Sequence, residues 1–544
     1  MKIKTSAALF TLALAVPLAL LAQSAAPEKI EIDAPKTDQT NDKSLIGKSR
    51  TADLPAAPTV DQTQRDGASG CKCQGATGIQ VAGQSSKNEQ FGLGLYTEFF
   101  LVLSALVTFA HLFVHGLGSA IAVRAAHGIA GAALSTLGLY YTMQAFPAAH
   151  RLRGLVVGIG VAQLALPLAR IFSAELLEFG EWRGLYLFEL GLALLSLAGV
   201  LMLKLPPSDR MRVFEKLDFV TFALFAPGIA LLCAVLSLGR IDWWLEAPWI
   251  GWALSGAIVL LVTALAVEHF RANPLINTRW LASGTMVRLA VSMVLIRVAL
   301  SEQATGAVGF MQALGLTNDQ MHGLFAMVFL GCVAGIVASA LSIRPNRMII
   351  PSAIALGCIA AGALLDAYST SQTRPADLYL SQFLIGFGST YFLGPAMVVG
   401  MGQVIGQPRN LITFVVLFGM AQNLGGLFGS AALGTFQTVR EKFHSSQLVE
   451  NLTLMDPQVA ARVQSGAAAY APVITDPVLR NAQGVRALGA AASREANVLA
   501  YNDVFMAIAA IALLTMAWML IHRLQLRRRD RLAASNASTA PAAP

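Results

Sequence analysis

Residues 219–239 read FVTFALFAPGIALLCAVLSLG, an unbroken apolar run without one acidic or basic side chain. Wound as an α-helix at ~1.5 Å per residue, a run of ~20 residues covers the ~30 Å hydrocarbon core of a bilayer. Water would find no polar face on such a helix, whereas lipid asks for none. Working outward, comparable runs occur at 96–118, 120–146, 154–173, 184–203, 249–268, 286–311, 322–342, 349–366, 378–402, 411–436 and 502–522. No period-two alternation competes with them. The backbone of a lipid-embedded segment must satisfy itself, so helices are expected throughout. The chain therefore reads as an all-α membrane protein with about twelve transmembrane helices, its membrane domain covering 93–523. Composition agrees: 55% of the 544 residues are hydrophobic and 13% charged, where a soluble chain would carry roughly a quarter charged.

The loops give an orientation. The short loops on the side of the C-terminus carry Arg151 and Arg153, then Lys204, Arg210, Arg212 and Lys216, then Arg271 and Arg279, Arg344 and Arg347, and Arg409. The basic tail, 524–544, follows Arg523 and adds Arg527, Arg528, Arg529 and Arg531. The opposite short loops carry only Arg183, Arg240 and Arg374. This bias predicts a cytoplasmic C-terminus at a cell inner membrane. It also places the long 437–501 connection in the periplasm. The net charge of +8 is thus spread over loops and tail rather than gathered into a patch for nucleic acid.

The first residues have a different character. Lys2 and Lys4 precede an apolar run from Ala7 to Ala22, and small residues follow at Ser24 and Ala26. Residues 1–25 have the layout of a secretory signal or anchor. Residues 26–92 are polar and contain proline, the composition of a disordered segment. A signal or anchor would put 26–92 in the periplasm, whereas twelve crossings before a cytoplasmic C-terminus put it in the cytoplasm. The orientation taken here is that of the many loops. Cys233, Cys332 and Cys358 lie in apolar runs and read as small core residues. Cys71 and Cys73 form an isolated CxC without further ligands nearby, so no metal is expected. No GxxxxGK[ST] phosphate loop occurs, which argues against ATP as a driving force, and no cofactor or catalytic cluster is expected.

Six segments in order resemble the 14-helix drug:proton antiporter branch of the major facilitator superfamily, the EmrB/QacA type. They are Arg124-Ala-Ala-His-Gly128-Ile-Ala-Gly131, Trp182-Arg183-Gly-Leu-Tyr-Leu-Phe-Glu189, Asn273-Pro274-Leu275, Gln312-Ala-Leu-Gly315, Gln422-Asn-Leu-Gly-Gly426-Leu-Phe-Gly429 and Ala500-Tyr-Asn-Asp503-Val-Phe505. The resemblance covers about 96–522 and numbers these helices as the family's third to fourteenth. It implies a major facilitator-type bundle and proton-coupled export of amphipathic organic compounds. A periplasmic adaptor and an outer-membrane channel are implied as possible partners. Residues 1–92 stand where the first two helices would be. The antiporter motif is replaced by Gly158-Ile-Gly160 followed by Leu166-Pro167-Leu168-Ala169-Arg170. These departures keep an alternative open, a transport-incompetent relative acting as a membrane scaffold or sensor.

Ionisable groups inside hydrocarbon cost about 2.5–3.5 kcal/mol each, so they mark pathways or charge partners. Arg124, to which the resemblance gives a proton-coupling role, Glu189, Arg297, Glu302 and Gln303 are the candidates for proton coupling or substrate binding. Arg297 and Glu302 are five residues apart, which turns them about 140° from each other on a helix. Each therefore needs a partner on another helix or a wet cavity, or else 286–311 breaks into a shorter helix and a loop. Gly128, Gly131, Gly425, Gly426 and Gly429 read as a helix-packing motif, and Gly386 and Gly388 offer further small faces. Pro167 and Pro395 are expected to kink their helices.

Overall fold

The computed structural model describes residues 93–147, 150–178, 182–202, 215–343, 348–405, 407 and 410–538. The signal-like segment 1–25, the polar segment 26–92 and several tail-side basic residues, among them Arg210, Arg344 and Arg409, lie outside that set. All regular structure among the described residues is helical. The helices are α1 (Leu93–Ala110), α2 (Leu117–Gln144), α3 (Arg151–Glu178), α4 (Trp182–Met202), α5 (Lys216–Leu238) and α6 (Pro248–Phe270). They continue as α7 (Gly284–Leu300), α8 (Ala307–Ala313), α9 (His322–Leu341), α10 (Ile349–Asp366), α11 (Tyr379–Tyr391) and α12 (Leu393–Ile405). The last are α13 (Leu411–Glu450), α14 (Pro457–Ala468) and α15 (Pro477–Ser538). Together they make an all-α, multi-pass membrane protein.

Eleven stretches among the described residues are long and apolar enough to cross a bilayer. The expected crossing at 286–311 is not one of them, because its helix is interrupted. The polar run Ser301-Glu302-Gln303 opens a π-helical turn, Glu302–Gly306, between α7 and α8. A π turn inside a helix inserts a residue and re-aims the side chains around it. Here it lies where a carboxylate and an amide leave an otherwise apolar helix. The segment neither runs as one regular helix nor ends in an open loop.

The 378–402 segment also divides, at Phe392, for a different reason. Pro395 has no N–H and its ring crowds the carbonyl four residues back, that of Tyr391. That freed carbonyl accepts a hydrogen bond from Ser339 Oγ (3.2 Å), and the same hydroxyl accepts one from the Gly394 N–H (3.1 Å). One α9 hydroxyl thus supports both ends of the break. Pro167 sits inside α3, which continues through it. It leaves the Gln163 carbonyl without its intrahelical donor.

Small residues let backbones approach where lipid supplies no hydrophobic drive. α11 lies between α9 and α10. A Cβ at Gly386 would stand 2.7 Å from the Val328 carbonyl oxygen, and one at Gly388 would stand 2.6 Å from that of Ala355. The main core joins Met286, Met293 and Ile296 of α7 to Leu356 and Ile359 of α10, Phe414 of α13 and Ile508 of α15.

The 437–501 connection is helical over most of its length. α13 runs on to Glu450, α14 packs on the start of α15, and α15 reaches back through the bundle to Ser538. Asp503 clamps the base of this projection. Its Oδ2 accepts from Arg440 Nε (2.6 Å) and meets His444 Nε2 (2.7 Å), while Gln437 Nε2 donates to Asn497 Oδ1 (2.8 Å). The basic tail begins as a continuation of α15 rather than as a free segment.

Candidate functional site

A cavity of about 440 Å³ opens between α3, α7, α9, α11 and α13. Its volume falls within the ~300–1,000 Å³ typical of small-molecule sites. Pro167 and Arg170 enter it from α3, Arg297 and Ser301 from α7, Phe325 from α9, Gln382 from α11, and Gln422, Asn423 and Gly426 from α13. Gln303, on the π turn, also lines it. Among the described residues the wall carries two guanidinium groups, amides and hydroxyls, but no carboxylate.

Arg297 reaches the cavity along α13. Its Nε donates to the Gln422 carbonyl (3.0 Å). The space it occupies exists because α13 is bare there. A Cβ at Gly425 would lie 2.9 Å from Arg297 Cβ, and one at Gly426 would lie 3.4 Å from its Nη2. One turn on, a Cβ at Gly429 would lie 2.8 Å from Val298 Cα. Ser301 ties α7 to α13 through its hydroxyl, which donates to the Gly426 carbonyl (3.2 Å). Elsewhere on the lining, the Arg170 guanidinium lies over the Phe325 ring, 5.3 Å from its centroid.

Behind the wall two acids are buried together. Glu302 is 0% exposed and Asp366 1%. Gln382, itself buried, donates from Nε2 to Glu302 Oε1 (3.0 Å) and to Asp366 Oδ2 (2.9 Å). One amide nitrogen therefore bridges two carboxyl groups, while the rest of the side chain faces the cavity. Among the described residues, the second oxygen of Glu302, Oε2, has no hydrogen-bond partner, and no basic side chain pairs with either acid. The π turn aims Glu302 inward, with Gly306 beneath its side chain. Asp366 closes α10, and Gln382 lies in the first turn of α11.

The sequence candidates thus fall into two places. Arg297 and Gln303 line the cavity, and Glu302 touches it through Gln382. Arg124 and Glu189 belong to a separate cluster formed by α2, α4 and the turn that follows α1. There Arg124 Nη2 donates to Tyr186 Oη (3.3 Å), His127 Nε2 meets Glu189 Oε1 (3.1 Å), and His111 stacks on Tyr186 at 4.5 Å. The glycine motif divides in the same way. Gly425 and Gly429 pack on α7, whereas a Cβ at Gly131 would meet nothing within 4 Å among the described residues. Gly128 is exposed on the same helix.

Asp366, Gln382 and Arg170 did not stand out in the sequence. Asp366 falls on the last residue of an apolar run, where an acid reads as an interface group. A lone glutamine in a helix carries no signal by itself. Arg170 was visible only as part of the altered segment after Pro167.

The sequence pattern of the Major Facilitator Superfamily matches residues 98–430. The uncharacterized MFS-type transporter YhcA of Bacillus subtilis (strain 168) is 22% identical over 351 residues, which are 61% of this chain and 62% of that protein. The MFS-type transporter calB of Penicillium decumbens is 20% identical over 347 residues, 62% of this chain and 60% of that one. The chain thus spans about three fifths of the length of these curated relatives. A solved bacterial homolog of the human lysosomal transporter Spinster, inward-facing and unoccupied, covers 79% of this chain and 84% of its own at 13% identity, with a TM-score of 0.36. The family match runs from within α1 through α12 and over most of the membrane part of α13, and it reaches every helix that lines the cavity: the chain belongs to the Major Facilitator Superfamily.

Proposed function

We propose that the protein is a secondary active transporter that exports small amphipathic organic compounds across the inner membrane, driven by protons. The observation that carries this reading is the buried pair Glu302 and Asp366, joined by Gln382 to the cavity wall. Two ionised carboxylates in a dry site repel each other and forfeit their hydration. A bare carboxylate oxygen there adds several kcal/mol to that cost. A bound proton removes one charge and lets the pair share the amide. The cavity and the proton site then meet in one side chain, so occupancy of either changes the geometry of the other. Alternating access of two helix groups around such a site is the general scheme of secondary transport.

The resemblance to the drug:proton branch supports drugs as the cargo, and the loop charges support a cytoplasmic tail. In that orientation the helical projection of α13, α14 and α15 faces the periplasm, where an adaptor protein would meet it. The interrupted π turn and the built cavity favour a working transporter over a scaffold.

The test is a drug-susceptibility profile in an efflux-deficient host. Cells with the wild-type chain gain resistance to at least one amphipathic compound. Glu302→Gln and Asp366→Asn, at equal membrane abundance, lose it. Unchanged resistance in both variants would refute the reading.

A further inference from the structure

The charge lining the cavity points to the class of cargo. Arg170 and Arg297 come from two different helices, α3 and α7, and neither has an acid partner among the described residues. Each is nonetheless held in place. Arg297 spends Nε on the Gln422 carbonyl, and its terminal nitrogens have no acceptor among the described residues. Arg170 lies on the Phe325 face, an arrangement that orients a guanidinium without neutralising it. Gln303 brings a third donor, a buried Nε2 without a hydrogen-bond partner among the described residues. The acids nearest the cavity stand behind Gln382 rather than on its surface. Apolar side chains such as Leu166, Leu300 and Phe325 complete the lining.

Guanidinium groups pair with carboxylates and sulfonates through two parallel hydrogen bonds, and such charge-assisted bonds strengthen away from water. A cationic amphiphile would meet like charge from two helices, which is a device for rejecting it. We propose that this cavity binds an amphipathic organic anion, its acidic group taken by the guanidinium groups of Arg170 and Arg297 and its apolar body lying along the leucines and Phe325. The proposal rests on the reading of the chain as a small-molecule transporter and names the charge of its substrate.

The experiment uses the full chain in nanodiscs of neutral lipid and three dansyl probes that differ in charge: dansylglycine, its methyl ester, and dansylcadaverine. Equilibrium binding is followed by fluorescence. Wild type binds dansylglycine about tenfold or more tightly than either of the others. The double variant Arg170→Gln/Arg297→Gln loses that preference, while Arg170→Lys/Arg297→Lys, which keeps both charges, retains part of it. Thermal unfolding of each variant shows which are folded, and the lysine pair keeps the test decisive if the glutamine pair is not. Equal or tighter binding of dansylcadaverine by wild type would overturn the proposal, as would an anion preference indifferent to both substitutions. Because the readout is binding, anion preference without proton-coupled export would sink only the transport reading. Export of cations without anion preference would sink only this one.

Discussion

Glu268 and Glu302 are both almost completely buried acids on apolar helices, at 1% and 0% exposure, and they are held in opposite ways. Glu268 lies in the last turn of α6. It accepts from Arg271 Nη1 (3.1 Å), Thr221 Oγ1 (2.5 Å) and the Ile276 N–H (3.0 Å). Arg271 also meets Asp218 (2.6 Å) and Glu215 (2.7 Å), so it ties the end of α6 to the start of α5. Burial works against the Arg271 charge, but these carboxylates outweigh it and hold its pKa above the ordinary value. Glu302 accepts instead from the neutral Gln382 amide, which it shares with a second acid. A charge supplied with a counter-charge and donors fastens two helices. A pair of acids that shares one neutral donor and has no counter-charge among the described residues must borrow its neutraliser from outside the protein, as the proposed coupling site would.

The comparison is broken or sharpened by substitution at each end. Arg271→Ala leaves Glu268, Asp218 and Glu215 facing one another without a cation. It is expected to cost about 3–5 kcal/mol of stability, visible as a large drop in unfolding temperature and in membrane abundance. Glu268→Gln turns one acceptor into a donor that faces existing donors, and is expected to cost about 1–3 kcal/mol. Glu302→Gln should do the reverse. It keeps the shape, removes a charge and leaves stability within about 1 kcal/mol of wild type, while resistance in the efflux-deficient host disappears. If Glu302→Gln unfolded the protein as Arg271→Ala does, the distinction between fastening and coupling would fail. The smallest effects concern packing. Gly429→Ala drives a Cβ against α7 and is expected to cost about 1–3 kcal/mol. Gly131→Ala meets open space, and in mid-helix it is expected to be neutral or to stabilise by up to about 1 kcal/mol. Unfolding temperatures in one detergent would order the pair.

The membrane fold was legible because its cause is local: runs such as 219–239 can do little else in lipid. The interruption at Glu302 was legible in part. The polar run showed that something departs from a plain helix, but whether it became a loop or a π turn depends on what α10 and α11 place opposite it. The break at Phe392 follows from Pro395, and its support by Ser339 does not, since that hydroxyl comes from another helix. Within the site, Glu302, Arg297 and Gln303 could be named because charge and amide groups are rare in apolar runs. Asp366 and Gln382 could not, because their meaning lies in a three-body contact across sequence separations of 16 and 80 residues. Arg124 and Glu189 show the converse. Both stand out in apolar sequence, yet their partners are Tyr186 and His127, away from the cavity.

The central claim is that Glu302 and Asp366 hold a proton between them, and infrared spectroscopy of the purified protein at neutral pH reads it directly. A protonated carboxyl group absorbs at higher frequency than a carboxylate, clear of the amide bands, and shifts on exchange into deuterated water. The account predicts such a band in the wild-type protein and its loss in Glu302→Gln/Asp366→Asn. A wild-type spectrum without the band, or a band that survives in the double variant, would contradict it.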